Sequence, residues 1–123
     1  MANSFINMIN HQDADFIITH PEGYDLDPKI VGDNKVVYNQ DEALKDADVV
    51  YVKNWCSYND YGKILRTDNR WMLTENKMKL TNDAFFMHCL PIRRNVVVSD
   101  AVLDHSKSLV IEQANNRTYA AQA

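Results

Sequence analysis

An α/β fold with a mainly parallel sheet and helices on both faces is what this sequence predicts, on three observations. Short apolar runs rich in Val, Ile and Phe recur without strict alternation, the pattern of strands covered on both faces. Stretches with helical spacing fall between them, and strand–helix–strand alternation builds a parallel sheet. Three glycines and three prolines in 123 residues are few, which suits regular elements joined by short connections.

The elements follow in chain order. Ser4 is placed to cap a helix reaching to about residue 11, with Phe5, Met8 and Ile9 on one face. Residues 15–19 (DFIIT) form the first strand candidate and 35–38 (KVVY) the second. A helix over 40–47 (QDEALKDA) carries its acidic residues early, where the helix dipole favours them. Residues 48–53 (DVVYVK) read as the third strand, and a short helix starts at 74–77. The fourth strand is 84–89 (AFFMHC), a helix capped by Ser99 runs to Leu103, and 108–112 (SLVIE) reads as a fifth strand. A last helix opens over 114–123. No repeat, low-complexity stretch or linker interrupts this order, so residues 1–123 are expected to form one domain. At 46% apolar residues the chain has the material for a core.

Charge and composition exclude several classes. Seventeen acidic against thirteen basic residues give a net charge of −4, which argues against a nucleic-acid partner. No Lys/Arg run marks a membrane surface. Apolar runs such as Val49–Val52 fall far short of the ~20 residues of a spanning helix, so no membrane partner is expected. Met1-Ala2-Asn3-Ser4-Phe5 lacks the basic region and apolar stretch of a signal peptide. Cys56 and Cys89 make no disulfide framework, which points to a reducing, cytoplasmic setting.

In parallel α/β sheets ligands sit at the carboxyl ends of the strands. Here those ends are 19–23 (THPEG), 53–55 (KNW), 89–95 (CLPIRRN) and 112–117 (EQANNR). Three of the four carry cationic or reactive groups. His88-Cys89-Leu90-Pro91 closes the fourth strand. Pro lacks an N–H and stops the ladder, which frees nearby carbonyls to face a ligand. An isolated His-Cys pair is more often two buried strand residues than a site. A zinc site is less favoured still, because adjacent strand residues point to opposite faces and no paired Cys/His spacing is present. Arg93 and Arg94 follow directly, and guanidinium forks suit carboxylate or phosphate. We read Arg94 as a solvated surface residue and Arg93 as a ligand group.

His88-Cys89-Leu90-Pro91 resembles the HCLP motif of ornithine-type carbamoyltransferases. The longer string 86–95 (FMHCLPIRRN) is similar to the branch that uses N-acylated ornithine. Residues 108–112, Ala114-Asn115-Asn116-Arg117, Thr19-His20-Pro21-Glu22-Gly23-Tyr24 and Lys53-Asn54-Trp55 extend the likeness over essentially the whole chain. The resemblance implies the amino-acid-binding, Rossmann-like second domain of such an enzyme, truncated. It also implies transfer of a carbamoyl group from carbamoyl phosphate to the side-chain amine of an N-acylornithine, in arginine biosynthesis. No cofactor, metal or covalent intermediate is implied, and the parent is expected to be a cytoplasmic homotrimer. By the same resemblance Cys89 and Leu90 lie against the carbamoyl group and the attacking amine. Arg117 contacts carbamoyl phosphate, and Lys53 and Arg93 hold the carboxylates of the amino acid.

Two departures bear on the acyl group. The loop 56–62 is shorter than that branch leads one to expect. By the resemblance, acetylornithine-type members can carry a lysine, modified to a carbamate, where this chain has Val97, which favours succinyl over acetyl. The family's phosphate loop (S-x-R-T-like) and H-P-x-Q segment do not occur in this sequence. A first strand and the continuation of the last helix are likewise expected outside it, so the chain alone is expected to be inactive. The competing reading is a non-catalytic amino-acid-binding or regulatory module derived from this domain. The expected geometry is specific: Lys53, Cys89, Arg93 and Arg117 converge on one sheet edge, and the Leu90-Pro91 bond is cis.

Overall fold

The computed structural model describes residues 2–54 and 69–122. Two compact units emerge among the described residues, 2–43 and 44–54 with 69–122.

In the first unit, α1 (Ala2–Ile9) turns its Ile6 side chain inward. β1 (Ile17–Thr19) pairs in parallel with β2 (Lys35–Val37), Ile17 opposite Lys35 and Thr19 opposite Val37. The Thr19 hydroxyl donates to the Val37 carbonyl at 2.7 Å. Between the strands lies α2 (Pro28–Val31), one turn with both ends marked in the sequence. The Asp27 side chain accepts from the Lys29 N–H at 2.9 Å, and Pro28 opens the helix with the φ it already prefers. Gly32 closes it at φ 54°, a left-handed conformation that suits glycine. α3 (Gln40–Leu44) starts at Asn39, whose side chain accepts from the N–H groups of Asp41 and Glu42 at 3.0 and 3.3 Å.

The second unit holds the site. β3 (Val49–Val52) pairs in parallel with β4 (Phe85–His88), Val49 opposite Phe85 through Val52 opposite His88. On its other side β4 is joined by Ser108 through one parallel bridge to Phe86. The Phe86 N–H donates to the Lys107 carbonyl at 2.9 Å and the Leu109 N–H to the Phe86 carbonyl at 2.8 Å. At Phe86, which is only 1% exposed, β4 therefore has a neighbour on both flanks. Around it pack Leu44, Val50, Leu73, Ala84, Val98, Val102, Leu103 and Val110, one contiguous core. α4 (Glu75–Met78) is capped by Thr74, whose hydroxyl accepts from the Lys77 N–H at 3.4 Å. α5 (Asp100–Leu103) buries Val102 and Leu103, and α6 (Val110–Gln122) follows the Ser108 bridge.

Parallel strands alternating with helices are thus present as expected, and β1 to β4 each fall inside an expected run. Two local expectations need correction. Helix α1 already includes Ala2, so Ser4 lies within the helix and is not its cap. Residues 108–112 are not a strand: one bridge at Ser108 completes the pairing of Phe86, and the chain then turns into α6. Burying Val110 while exposing Ile111 to 61% is a helical division of an apolar run, not a strand buried on both faces. Among the described residues, no helix is long and apolar enough to cross a membrane.

Candidate functional site

The site is built where β3 and β4 end. The two strands run in parallel and in register, so Lys53 and Asn54 leave the sheet beside Cys89 and Leu90. The Leu90-Pro91 bond is cis, as expected. Asn54 ties the two strand ends together. Its side-chain amide donates to the Pro91 carbonyl at 2.9 Å, and its carbonyl oxygen accepts from the Arg93 N–H at 3.4 Å. Lys53, Cys89, Leu90 and Arg93 are thereby gathered at one end of the sheet, through a residue that in the sequence stands out only as the middle of a Lys-Asn-Trp motif.

The loop after Arg93 is fixed from the other side. Asn95 sits at φ 55°, a left-handed position that Asn tolerates. Its side chain donates to Asp100 at 2.8 Å and accepts from the Asp100 N–H at 3.1 Å. Arg94 reaches Asp100 at 2.7 Å and Asp104 at 2.9 Å, so it is exposed but engaged with α5. These contacts hold both carboxyl groups below their ordinary range, chiefly through hydrogen bonding to the guanidinium.

The other cations differ. Among the described residues Lys53, Arg93 and Arg117 make no ion pair, whereas Arg94, Lys107 and Lys35 each have a carboxylate partner. Unneutralised positive charge at strand ends is what an anionic ligand requires. Leu90 is 44% exposed there and Cys89 is half-buried with a free thiol.

His88 behaves as a core residue. It is 1% exposed, and neither ring nitrogen has a hydrogen-bond partner among the described residues. Burial holds it below its ordinary value, with the Lys53 charge acting in the same direction, so the ring is neutral near pH 7.

Cys89 faces the opposite side of β4 and meets Tyr51, a residue that nothing in the local sequence singles out. Burial first and the neighbouring Cys89 second push the Tyr51 hydroxyl up to about 12. Arg117, expected to follow a strand, lies instead on α6, where it is exposed one turn beyond Gln113. Trp55 and the loop 56–62 lie outside the described residues. Val97 is 1% exposed and its carbonyl accepts from the Leu73 N–H at 2.9 Å. A separate cavity of about 370 Å³, lined by α4, α5 and the start of β4, contains none of these groups.

A family model described as aspartate/ornithine carbamoyltransferase, Asp/Orn binding domain, matches residues 1–123. N-succinylornithine carbamoyltransferase of Bacteroides fragilis is 50% identical over 123 residues, covering 98% of this chain and 39% of that protein. N-acetylornithine carbamoyltransferase of Xylella fastidiosa is 41% identical over 95 residues, covering 72% of this chain and 28% of that protein. Among solved structures, an acetylornithine transcarbamylase complexed with acetylcitrulline superposes with a TM-score of 0.82 at 32% identity, over 95% of this chain and 40% of that one. A point mutant of N-acetyl-L-ornithine transcarbamylase, complexed with carbamyl phosphate and N-succinyl-L-norvaline, gives 0.83 at 34%, over 95% and 41%. The chain spans about 39% of the length of the Bacteroides relative.

Proposed function

The chain belongs to the aspartate/ornithine carbamoyltransferase family through its Asp/Orn binding domain, and from that premise we propose that residues 1–123 bind the amino-acid substrate of a carbamoyltransferase acting on N-acylornithine. Succinyl is favoured over acetyl. The greater identity to N-succinylornithine than to N-acetylornithine enzymes supports this, as does Val97 in place of a lysine.

The observation that carries the reading is the pair of unneutralised cations, Lys53 and Arg93, beside the cis Leu90-Pro91 turn. An N-acylated ornithine has lost its α-amino charge but keeps its α-carboxylate, and a succinyl group adds a second. Two cations therefore suit two carboxylates, Arg93 by a bidentate fork and Lys53 as a point charge. In the reaction, the neutral side-chain amine attacks the carbonyl carbon of carbamoyl phosphate. A C–N bond forms, the C–O bond to phosphate breaks, and the amine gives up a proton. On this reading the backbone carbonyls of Cys89 and Leu90 orient amine and carbamoyl group, and Arg117 contacts the phosphate. Cys89 has no neighbouring base to make it a nucleophile: Tyr51 is held protonated, and His88 faces away from it.

The test is a titration of the 15N-labelled chain with N-succinyl-L-norvaline, which keeps both carboxylates and lacks the attacking amine. Saturable shifts at Lys53, Asn54 and residues 89–93 are expected, with L-norvaline weaker. Arg93→Ala should weaken binding about tenfold or more, the loss of a charge-assisted contact worth ~1.5–3 kcal/mol. Binding untouched by both Arg93→Ala and Lys53→Ala would refute the assignment. The chain alone is expected to show no carbamoyl transfer.

A further inference from the structure

We propose that Asn54 is a positioning residue that sets the spacing between Lys53 and Arg93, and so tunes the site to a ligand with two carboxylates; this rests on the reading above.

The geometry is that of a bridge between two strand ends. The β3–β4 ladder stops at Val52 opposite His88. Beyond that pair the Asn54 side chain crosses to the chain that follows β4. Its amide N–H donates to the Pro91 carbonyl at 2.9 Å, and its oxygen accepts from the Arg93 N–H at 3.4 Å. The partners settle which end of the amide is which, since a carbonyl needs a donor and an N–H needs an acceptor. A carboxylate offers no donor and an aliphatic chain offers neither group, so an amide is what both contacts require. Lys53 directly precedes Asn54, and Arg93 is the residue whose N–H it holds. The two positions from which the cations project are thus linked by one peptide unit and one side chain.

The rest of the turn does not depend on this bridge. The Arg93 carbonyl accepts from the Val97 N–H at 3.2 Å, and Asn95 exchanges hydrogen bonds with Asp100 at 2.8 and 3.1 Å. Arg94 is fastened to Asp100 and Asp104. Residues 93–100 therefore keep their seat on α5 when Asn54 is replaced. Asn54 is itself half-buried and belongs to no core cluster, so its replacement leaves the packing intact. What goes is the registration of that loop against the end of β3. A ligand with one carboxylate engages one cation and tolerates the change. A ligand with two engages both, and must then fix their separation itself by ordering the loop as it binds. Asn54 thereby acts on selectivity, through the two cations.

The experiment uses the full 123-residue chain and Asn54→Leu, which keeps the size of the side chain and removes both hydrogen-bonding groups. N-succinyl-L-norvaline is titrated beside N-acetyl-L-norvaline, which keeps the α-carboxylate and the acyl amide and lacks the second carboxylate. In Asn54→Leu the preference for the succinyl compound should fall by about threefold to tenfold, with affinity for the acetyl compound within about twofold. Without ligand, the Pro91 carbonyl 13C and Arg93 amide signals should move while those of Asn95 and Asp100 stay. A merely structural role would weaken both compounds alike and leave their ratio unchanged. Asn54→Ala serves if Asn54→Leu fails to fold. An unchanged ratio, or unmoved Pro91 and Arg93 signals, overturns the proposal. Binding of neither compound to the unchanged chain would overturn the amino-acid-binding reading and this proposal with it, an outcome that the first titration tells apart from failure of the proposal alone.

Discussion

Residues 2–43 and the segments 44–54 and 69–122 each contain one two-stranded parallel sheet, and the two sheets are secured by different means. In the first unit the strands are three residues long and the buried side chains Ile6, Tyr24 and Val37 are scattered along the chain. Polar contacts do much of the joining there: Thr19 to Val37, Tyr38 to Asp25 at 2.8 Å, Asn34 to Asn10 at 2.9 Å. In the second unit the strands are four residues long, β4 has a neighbour on both flanks at Phe86, and nine buried residues form one cluster. A strand flanked on both sides is a fixed platform, and the candidate site sits on the end of that strand. The difference teaches where precision is held: the residues expected to orient substrate grow from the better-packed sheet.

The sharpest way to break this comparison is to remove the centre of each unit. Phe86→Ala should cost about 3–5 kcal/mol, on the scale of a small domain's whole stability. Val37→Ala, in the first unit, removes two methyl groups and should cost about 2 kcal/mol. Amide exchange at β3 and β4 reports the first, and exchange at β1 and β2 the second. Equal losses would mean that the first unit is as tightly packed as the second.

Much of this difference was legible in the sequence. Runs such as VVYV and FFMH declare strands covered on both faces, and Pro91 marks where the ladder must stop. The cations that gather at the strand ends follow from parallel topology alone. The fifth run, SLVIE, misleads because a short apolar stretch does not distinguish a buried strand from the buried turn of a helix. Helix α2 was missed although Asp27-Pro28 and Gly32 announce its ends, since one turn has no periodicity to read. Asn54, clamping Pro91 and Arg93, joins residues 37 and 39 positions apart. No local pattern encodes such contacts.

A finer comparison sets two helix caps against each other. Asp27 caps α2 in the first unit and Thr74 caps α4 in the second, each accepting one backbone N–H. Asp27→Ala and Thr74→Ala should each cost about 1 kcal/mol, read as faster amide exchange in the capped turn. Thr74 leads directly from Leu73, which is fully buried, so its loss should also be felt at the Leu73–Val98 bridge. Asp27 has no such neighbour in a core. Confinement of both effects to their own turns would remove that distinction.

The smallest expected effect concerns exposed charge, and pH gives its sign. In the second unit Arg94 bridges Asp100 and Asp104; in the first, Lys35 approaches Glu42 at 4.0 Å. Asp100 and Asp104 are held below their ordinary value of 3.8 by hydrogen bonds from Arg94. A carboxyl group whose folded pKa is depressed contributes stability that is fully present above its unfolded value and lost as pH falls through the folded one. Arg94 itself is shifted further upward, so it stays charged throughout and adds no titration of its own. Thermal unfolding of Arg94→Met should therefore fall slightly below that of the unchanged chain at pH 7, and the gap should close well below pH 4. Because the groups are exposed, 1 M salt should narrow the same gap at pH 7. Lys35→Met, at a long and exposed pair, should show no gap at either pH. The contrast matters to the site because Arg94 and Asn95 fasten the loop that begins at Arg93 onto α5. In Arg94→Met the amide signals of residues 93–95 should broaden while those of β4 stay sharp, with Asn95 still bonded to Asp100. A gap of equal size at pH 7 and at pH 2.5 would mean that Arg94 acts through the packing of its aliphatic stem and not through its charge.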